Sequence, residues 1–141
     1  MGKEPAWEEL EHPADVRLRI RGENLKDLLE NAARGMIEVF LDPATVQNRG
    51  SFPVEAEGDD AESVLVNWLQ EILFVFDAER FAPCRVEVTS VEVGRVTGRL
   101  SGEQFDPERH GTRTEIKAVT WHNLELQQTE SGLEVTVVFD V

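Results

Sequence analysis

The stretch Ala61-Glu-Ser-Val-Leu-Val-Asn-Trp-Leu-Gln-Glu-Ile-Leu-Phe-Val-Phe76 decides the fold. Ala61, Val64, Leu65, Trp68, Leu69, Ile72, Leu73 and Phe76 recur at helical spacing, and Val66, Phe74 and Val75 widen the stripe. A helix apolar around so much of its circumference lies against a sheet and is partly covered by a further element. Asp59 and Asp60 are the candidates to cap its N-terminus. Upstream, Leu25, Leu28, Leu29, Ala32, Ala33, Met36, Ile37 and Phe40 form a second helical stripe, with Lys26, Asp27, Glu30, Asn31 and Arg34 opposite. Asn24 can cap this helix, Asp27 suits its first turn, and Pro43 bars continuation.

Around these helices the chain alternates with period two, which predicts strands. Val16, Leu18 and Ile20 face one way, and Arg17, Arg19 and Arg21 the other. Cys84, Val86 and Val88 repeat the pattern, and Val91, Val93, Val96 and Leu100 predict a hairpin turning near Gly94. Ile116, Ala118, Thr120, His122, Leu124 and Leu126 read as one face of a long strand. It is joined through Ser131-Gly132 to a strand bearing Leu133, Val135, Val137 and Phe139. Gly102 to Thr114 reads as a surface loop. The order strand, helix, strand, helix, then strands predicts a two-layer α+β domain spanning 1–141, with both helices packed on one face of a largely antiparallel sheet. A doubly wound parallel fold would need βαβ units to the end.

Asp and Glu number 28 against 14 Lys and Arg, a formal net charge of −14. That balance repels phosphate backbones at long range, so strong direct nucleic-acid binding is not expected, and a multivalent cation or a basic protein surface is the natural partner. The lone Cys84 sits in an apolar alternation and reads as a buried strand thiol. With no intramolecular disulfide available, a reducing compartment is favoured; no leader and no membrane-length apolar run is seen, so the expected location is cytoplasmic.

Gly-rich phosphate loops, paired cysteines, His-x-x-x-His and Gly-x-Ser-x-Gly are all absent. What remains is carboxylates in strand-like surroundings, the ligands preferred by Mg²⁺, Ca²⁺ or Mn²⁺. Asp15 stands just before a strand, where it is either an edge-turn residue or a ligand. Asp140 follows Val137, Val138 and Phe139, which tie the end of the chain into the core, and the carboxylate of Val141 stands beside it. If Asp15 approaches, three oxygen donors converge and call for a cation. Glu115 and Lys117 fall on the polar face of their strand and are either solvated or functional. His122 is expected in the core; His12 and His110, near turns, are ligands, donors or solvated groups. Trp7, Trp68 and Trp121 read as core or interface aromatics.

The chain resembles the archease family, small acidic accessory proteins of the RtcB-type RNA-splicing ligase. The matching pieces run from end to end. They are His12-Pro-Ala-Asp15, Asn31-Ala-Ala33, Trp68-Leu-Gln-Glu-Ile-Leu-Phe-Val-Phe-Asp77, Gly102-Glu103, Arg109-His110, Glu115-Ile-Lys-Ala-Val-Thr-Trp-His122 and Phe139-Asp140-Val141. The resemblance implies a non-enzymatic cofactor that promotes guanylylation of the ligase and multiple turnovers in tRNA splicing, and it also implies a modulating role toward a tRNA methyltransferase. It maps functional carboxylates onto Asp15 and Asp140, with metal coordination shared by Val141, and makes Glu115, Lys117 and His12 candidates for ligase activation. Two positions depart from the family: Pro13 stands where Thr is usual, and Trp121 where Tyr is common, which removes a phenolic hydroxyl. The function classes left open are a binding and activating protein, a metal-dependent phosphoesterase, and a chaperone of RNA or of the methyltransferase.

Overall fold

A computed structural model describes residues 4–10 and 15–141 of the chain. Helix α1 spans Leu25–Phe40, and helix α2 spans Ala61–Ala78. Both begin where the capping residues lie. The Asn24 side chain accepts from the Asp27 N–H at 2.9 Å, and the Asp60 carboxylate from the Ser63 N–H at 2.8 Å, each filling an orphan donor of a first turn. After α1 the chain turns through a single 3-10 turn at Pro43–Thr45.

The strands are β1 (Trp7–Leu10), β2 (Val16–Gly22), β3 (Gly50–Glu57), β4 (Phe81–Glu92), β5 (Arg95–Gln104), β6 (Ala118–Thr120), β7 (Gln127–Thr129) and β8 (Gly132–Asp140). All the pairings are antiparallel. The α+β class therefore stands, but the strands divide between two sheets. One has the order β1-β2-β8-β6, with β7 also on β8; the other has the order β3-β5-β4. Helix α1 packs chiefly on β2 and on the edge of β4, and α2 chiefly on β3, so the helices do not share a single sheet face. They meet each other between the sheets.

Leu18, Ile20, Val135 and Val137 close the core from the first sheet, and Val54, Ala56, Val88, Val96 and Leu100 from the second. Trp68 joins both halves. Its ring is fully buried, and its indole N–H donates to the Leu29 carbonyl of α1 at 3.0 Å. Its far edge lies over Gly98 of β5, where a Cβ would come within 2.6 Å of the ring. Phe76 takes a different place: it stacks at 4.4 Å on Phe40 of α1 and meets Phe105, just beyond β5, at 4.9 Å.

The long strand expected over 116–126 is interrupted. Leu124 donates to the Trp121 carbonyl at 3.2 Å and Asn123 takes a positive φ of 51°, so β6 and β7 pair separately with opposite ends of β8. Parity is lost across the segment: Ile116 and Val119 are buried, whereas Ala118 and His122 are exposed. His122 is thus a surface residue and not the core histidine expected. The cause is that this segment runs along α2. Gln70 donates to the Val119 carbonyl at 3.3 Å, and the Leu126 N–H donates to Glu62 at 3.3 Å. It is the further cover that the breadth of the α2 apolar stripe demanded.

The predicted hairpin is β4–β5, turning at Val93 and Gly94, with Gly94 at φ 74°. Cys84 in β4 is half-buried, and its desolvation pushes the thiol above its ordinary pKa. Gly102 to Gln104, expected in a loop, are instead the last residues of β5. Gly98→Ala would force a methyl into the Trp68 ring and the Glu87 carbonyl. It should lower the unfolding free energy by about 1–3 kcal/mol, read from urea denaturation, while Thr97→Ala on the opposite face stays close to the parent.

Candidate functional site

The pairing of β2 with β8 sets Val16 opposite Phe139, and the pairing of β6 with β8 sets Ala118 opposite Asp140. Asp15 lies in the bend directly before Val16 and Asp140 directly follows Phe139, so both stand at the same end of this strand pair. The Lys117 N–H closes the same end by donating to the Asp140 carbonyl at 2.7 Å. Three neighbouring strands thus deliver Asp15, Asp140 and Lys117 to one rim of the first sheet, with Val141 directly following. Phe139 is fully buried and anchors this end of β8.

Asp15 is only 17% exposed and holds Arg17 at 3.2 Å. Asp140, Lys117 and Glu115 are exposed, and Val141 is half-buried. Glu115 is also close enough to Asp77, at the end of α2, to act on it: desolvation and then the Glu115 charge raise the Asp77 pKa, with Arg80 opposing. Sequence reasoning did not single out Asp77, because its position on the helix face carries no sign that a carboxylate from residue 115 arrives beside it. His12 lies outside the described residues. Among the described residues, no three His, Cys, Asp or Glu side chains form a group able to hold a metal ion. Asp15 and Asp140 carry hard oxygen donors of the type that Mg²⁺, Ca²⁺ or Mn²⁺ prefer.

A second cluster of charged groups was not legible as a unit. Glu103, near the end of β5, and His110 are 6% and 3% exposed. The Glu103 carboxylate accepts from the Gln47 N–H at 2.8 Å and from Arg109 at 3.0 Å, and lies 2.9 Å from His110 Nε2. Arg49 approaches the same carboxylate at 3.4 Å. His110 Nδ1 accepts the Asp106 N–H at 2.9 Å, so the ring proton sits on Nε2 and is donated to Glu103. The ring stacks at 5.7 Å on Phe105. Both ring nitrogens are occupied by protein partners, so His110 serves neither as a metal ligand nor as a solvated base. It ties the turn after β5 back onto the sheet. The only hint in the sequence was the pair of strings Gly102-Glu103 and Arg109-His110 within the family resemblance.

The Archease protein family model matches residues 7–141. A curated archease of Methanosarcina acetivorans is 40% identical over 139 residues, covering 96% of this chain and 95% of that protein. This chain belongs to the archease family. An archease of Methanopyrus kandleri is 36% identical, covering 96% of this chain and 99% of its own. The solution structure of a Methanobacterium thermoautotrophicum protein superposes with a TM-score of 0.80 at 30% identity, covering 96% of this chain and 99% of that one. The crystal structure of a Thermotoga maritima archease, described as a possible chaperone, matches with a TM-score of 0.68 at 21% identity over 100% and 98% of the two chains, a likeness of fold. No helix among the described residues is long and apolar enough to cross a membrane.

The Glu103 carboxyl is held down to about 2, first by the Arg109 hydrogen bond, then by the Gln47 N–H, then by His110. Its folded pKa lies below the ordinary value of 4.5, so its stabilisation is complete above about pH 4.5 and is lost as pH falls toward 2. Glu103→Gln should therefore melt well below the parent at neutral pH, and the gap should narrow steadily as the melting temperature is followed down to pH 2.

Proposed function

We propose that this archease is a non-enzymatic activator of an RtcB-type RNA-splicing ligase, acting through the rim that carries Asp15, Asp140 and Lys117. The observation that supports it most is that Asp15, just before β2, Lys117, just before β6, and Asp140, at the end of β8, stand at one end of the first sheet though far apart in sequence. In this reading Asp15, Asp140 and the oxygens of Val141 hold a divalent cation, Ca²⁺, Mg²⁺ or Mn²⁺. When bound, that ion supplies a Lewis-acidic positive charge at an otherwise anionic rim. Lys117 stands beside Asp140 and adds a fixed charge that can meet a phosphate or a carboxylate of the ligase, while Glu115 extends the anionic side. His12 is a further candidate for contact with the ligase. The role is to help organise the ligase for guanylyl transfer, with no turnover by this protein alone, in tRNA splicing in the cytoplasm.

The formal charge of −14 favours a basic docking surface on the ligase, so association should weaken as salt rises and exposed pairs are screened. A chaperone or specificity-modulating role toward a tRNA methyltransferase is the alternative reading, and the description of the Thermotoga maritima relative as a possible chaperone favours a protein partner in either case. A metal-dependent phosphoesterase is less well supported, since the sequence carries no Gly-rich loop to cradle a phosphate.

Asp15→Asn and Asp140→Asn keep shape and remove one charge each. Both should lose most of the rise in melting temperature on adding Ca²⁺ or Mn²⁺ and most of the stimulation of ligase guanylylation, while melting normally in chelator. If both variants stimulate guanylylation as the parent does, the carboxylates are structural and the proposed mechanism fails.

A further inference from the structure

The three-stranded sheet has one face under α2 and one face open. Gly98 of β5 faces the Trp68 ring, so Arg95, Thr97, Arg99 and Ser101 point outward, whereas Glu103 at the strand's end is covered by Arg109 and His110. The register lays these out in rows: Ser51, Ser101 and Arg85 in one, and Pro53, Arg99 and Glu87 in the next. Arg85 and Arg99 are diagonal neighbours across adjacent strands, about 7–8 Å apart along the backbone. Just beyond, Arg49 and Arg109 are drawn to the buried Glu103 at 3.4 and 3.0 Å, while 67% and 48% of their side chains stay exposed.

Neither Arg85 nor Arg99 has an ion-pair partner among the described residues, and the Ser51 and Ser101 hydroxyls make no hydrogen bond there. At the opposite end of the face the balance reverses: Arg95 is neutralised by Glu55 at 2.7 Å, with Glu57 at 3.9 Å. In these two rows Arg85 and Arg99 stand against the single carboxylate of Glu87, which faces Arg99 across the strands without closing an ion pair, on a chain of net charge −14.

We propose that this end of the open face is a docking surface for the phosphate backbone of a nucleic-acid strand. Guanidinium forks and free hydroxyls are the donors that phosphate oxygens accept. A protein partner would call for an apolar centre, and the rows through Arg85 and Arg99 carry no large apolar side chain except Pro53. The excess of carboxylates elsewhere gives no long-range attraction, so the contact is short-ranged, weak alone and strongly salt-dependent. It gains strength when another component holds the strand nearby. Contact of the two guanidiniums of Arg85 and Arg99 with phosphates corresponds to a slope of about −1.4 in log affinity against log salt.

The test is a titration of the isotopically labelled full chain with a single-stranded RNA of about 12 nucleotides, at low and at physiological salt, followed by amide chemical shifts. Saturable shifts should centre on Ser51, Arg85, Arg99 and Ser101. Arg85→Glu with Arg99→Glu should weaken binding at least about tenfold and flatten the salt slope by about 1.4, at unchanged melting temperature, and Arg85→Lys with Arg99→Lys should keep most of it. Should charge reversal lower the melting temperature, Arg85→Gln with Arg99→Gln must still bind RNA more weakly than the Lys pair. Shifts confined to another face, or none at low salt, overturn the proposal. So does binding by the reversed variant equal to the parent, or a glutamate-rich peptide of matched charge that binds as tightly as the RNA, which would assign the face to an acidic protein segment.

Discussion

The burial of Trp68 is the constraint on which the architecture depends. An indole N–H taken out of water needs an acceptor, and the Leu29 carbonyl supplies it at 3.0 Å, which sets the distance between the helices. The other edge of the ring needs room that only a residue without a Cβ leaves, and Gly98 supplies that in the middle strand of the second sheet. One side chain thereby fixes α2 against α1 and against β5. The first sheet is brought to the same core by Leu18 and Ile20 of β2, which close on α1.

With two small sheets instead of one broad one, the chain has more strand edges to manage. Helix α1 covers the edge of β4 and satisfies one of its donors directly, the Val88 N–H to Glu30 at 2.8 Å. Pro53 lies in β3, an edge strand, where a missing N–H costs no ladder bond. The outer face of the first sheet is laced by ion pairs, Arg19 to Glu8 at 2.9 Å and Arg21 to Glu8 and Glu134 at 3.1 and 3.0 Å. The arginines of β2 are therefore matched by carboxylates of its neighbours, and the surplus of negative charge lies elsewhere.

The two clusters of charged groups differ in chemistry. Glu103 is dry, with its oxygens held by a backbone N–H, two guanidiniums and an imidazole, and that arrangement stabilises a turn. The rim at Asp15 and Asp140 is wetter, with Asp140 and Lys117 exposed. Charges left in water at the end of a sheet contribute little to stability, so their placement is better suited to recognition than to folding.

Local pattern alone determined much of this protein. The caps Asn24 and Asp60, the stop before Pro43, the stripes of α1 and α2, the alternation of β2 and the turn at Gly94 all follow from contacts between residues a few positions apart. The family, too, was legible, because its short strings stand in order along the whole chain. Tertiary structure alone decided the division into two sheets, since strand pairing across long separations leaves no local trace. It broke the 116–126 strand, where lying along α2 outweighed an otherwise regular alternation and turned His122 out to solvent. It buried His110, whose partner Glu103 is reached only once the loop folds back on β5. Asp15 and Asp140 were visible as residues, but their placement at one end of the sheet belongs to the register of β2 on β8, which joins positions more than a hundred residues apart in the chain.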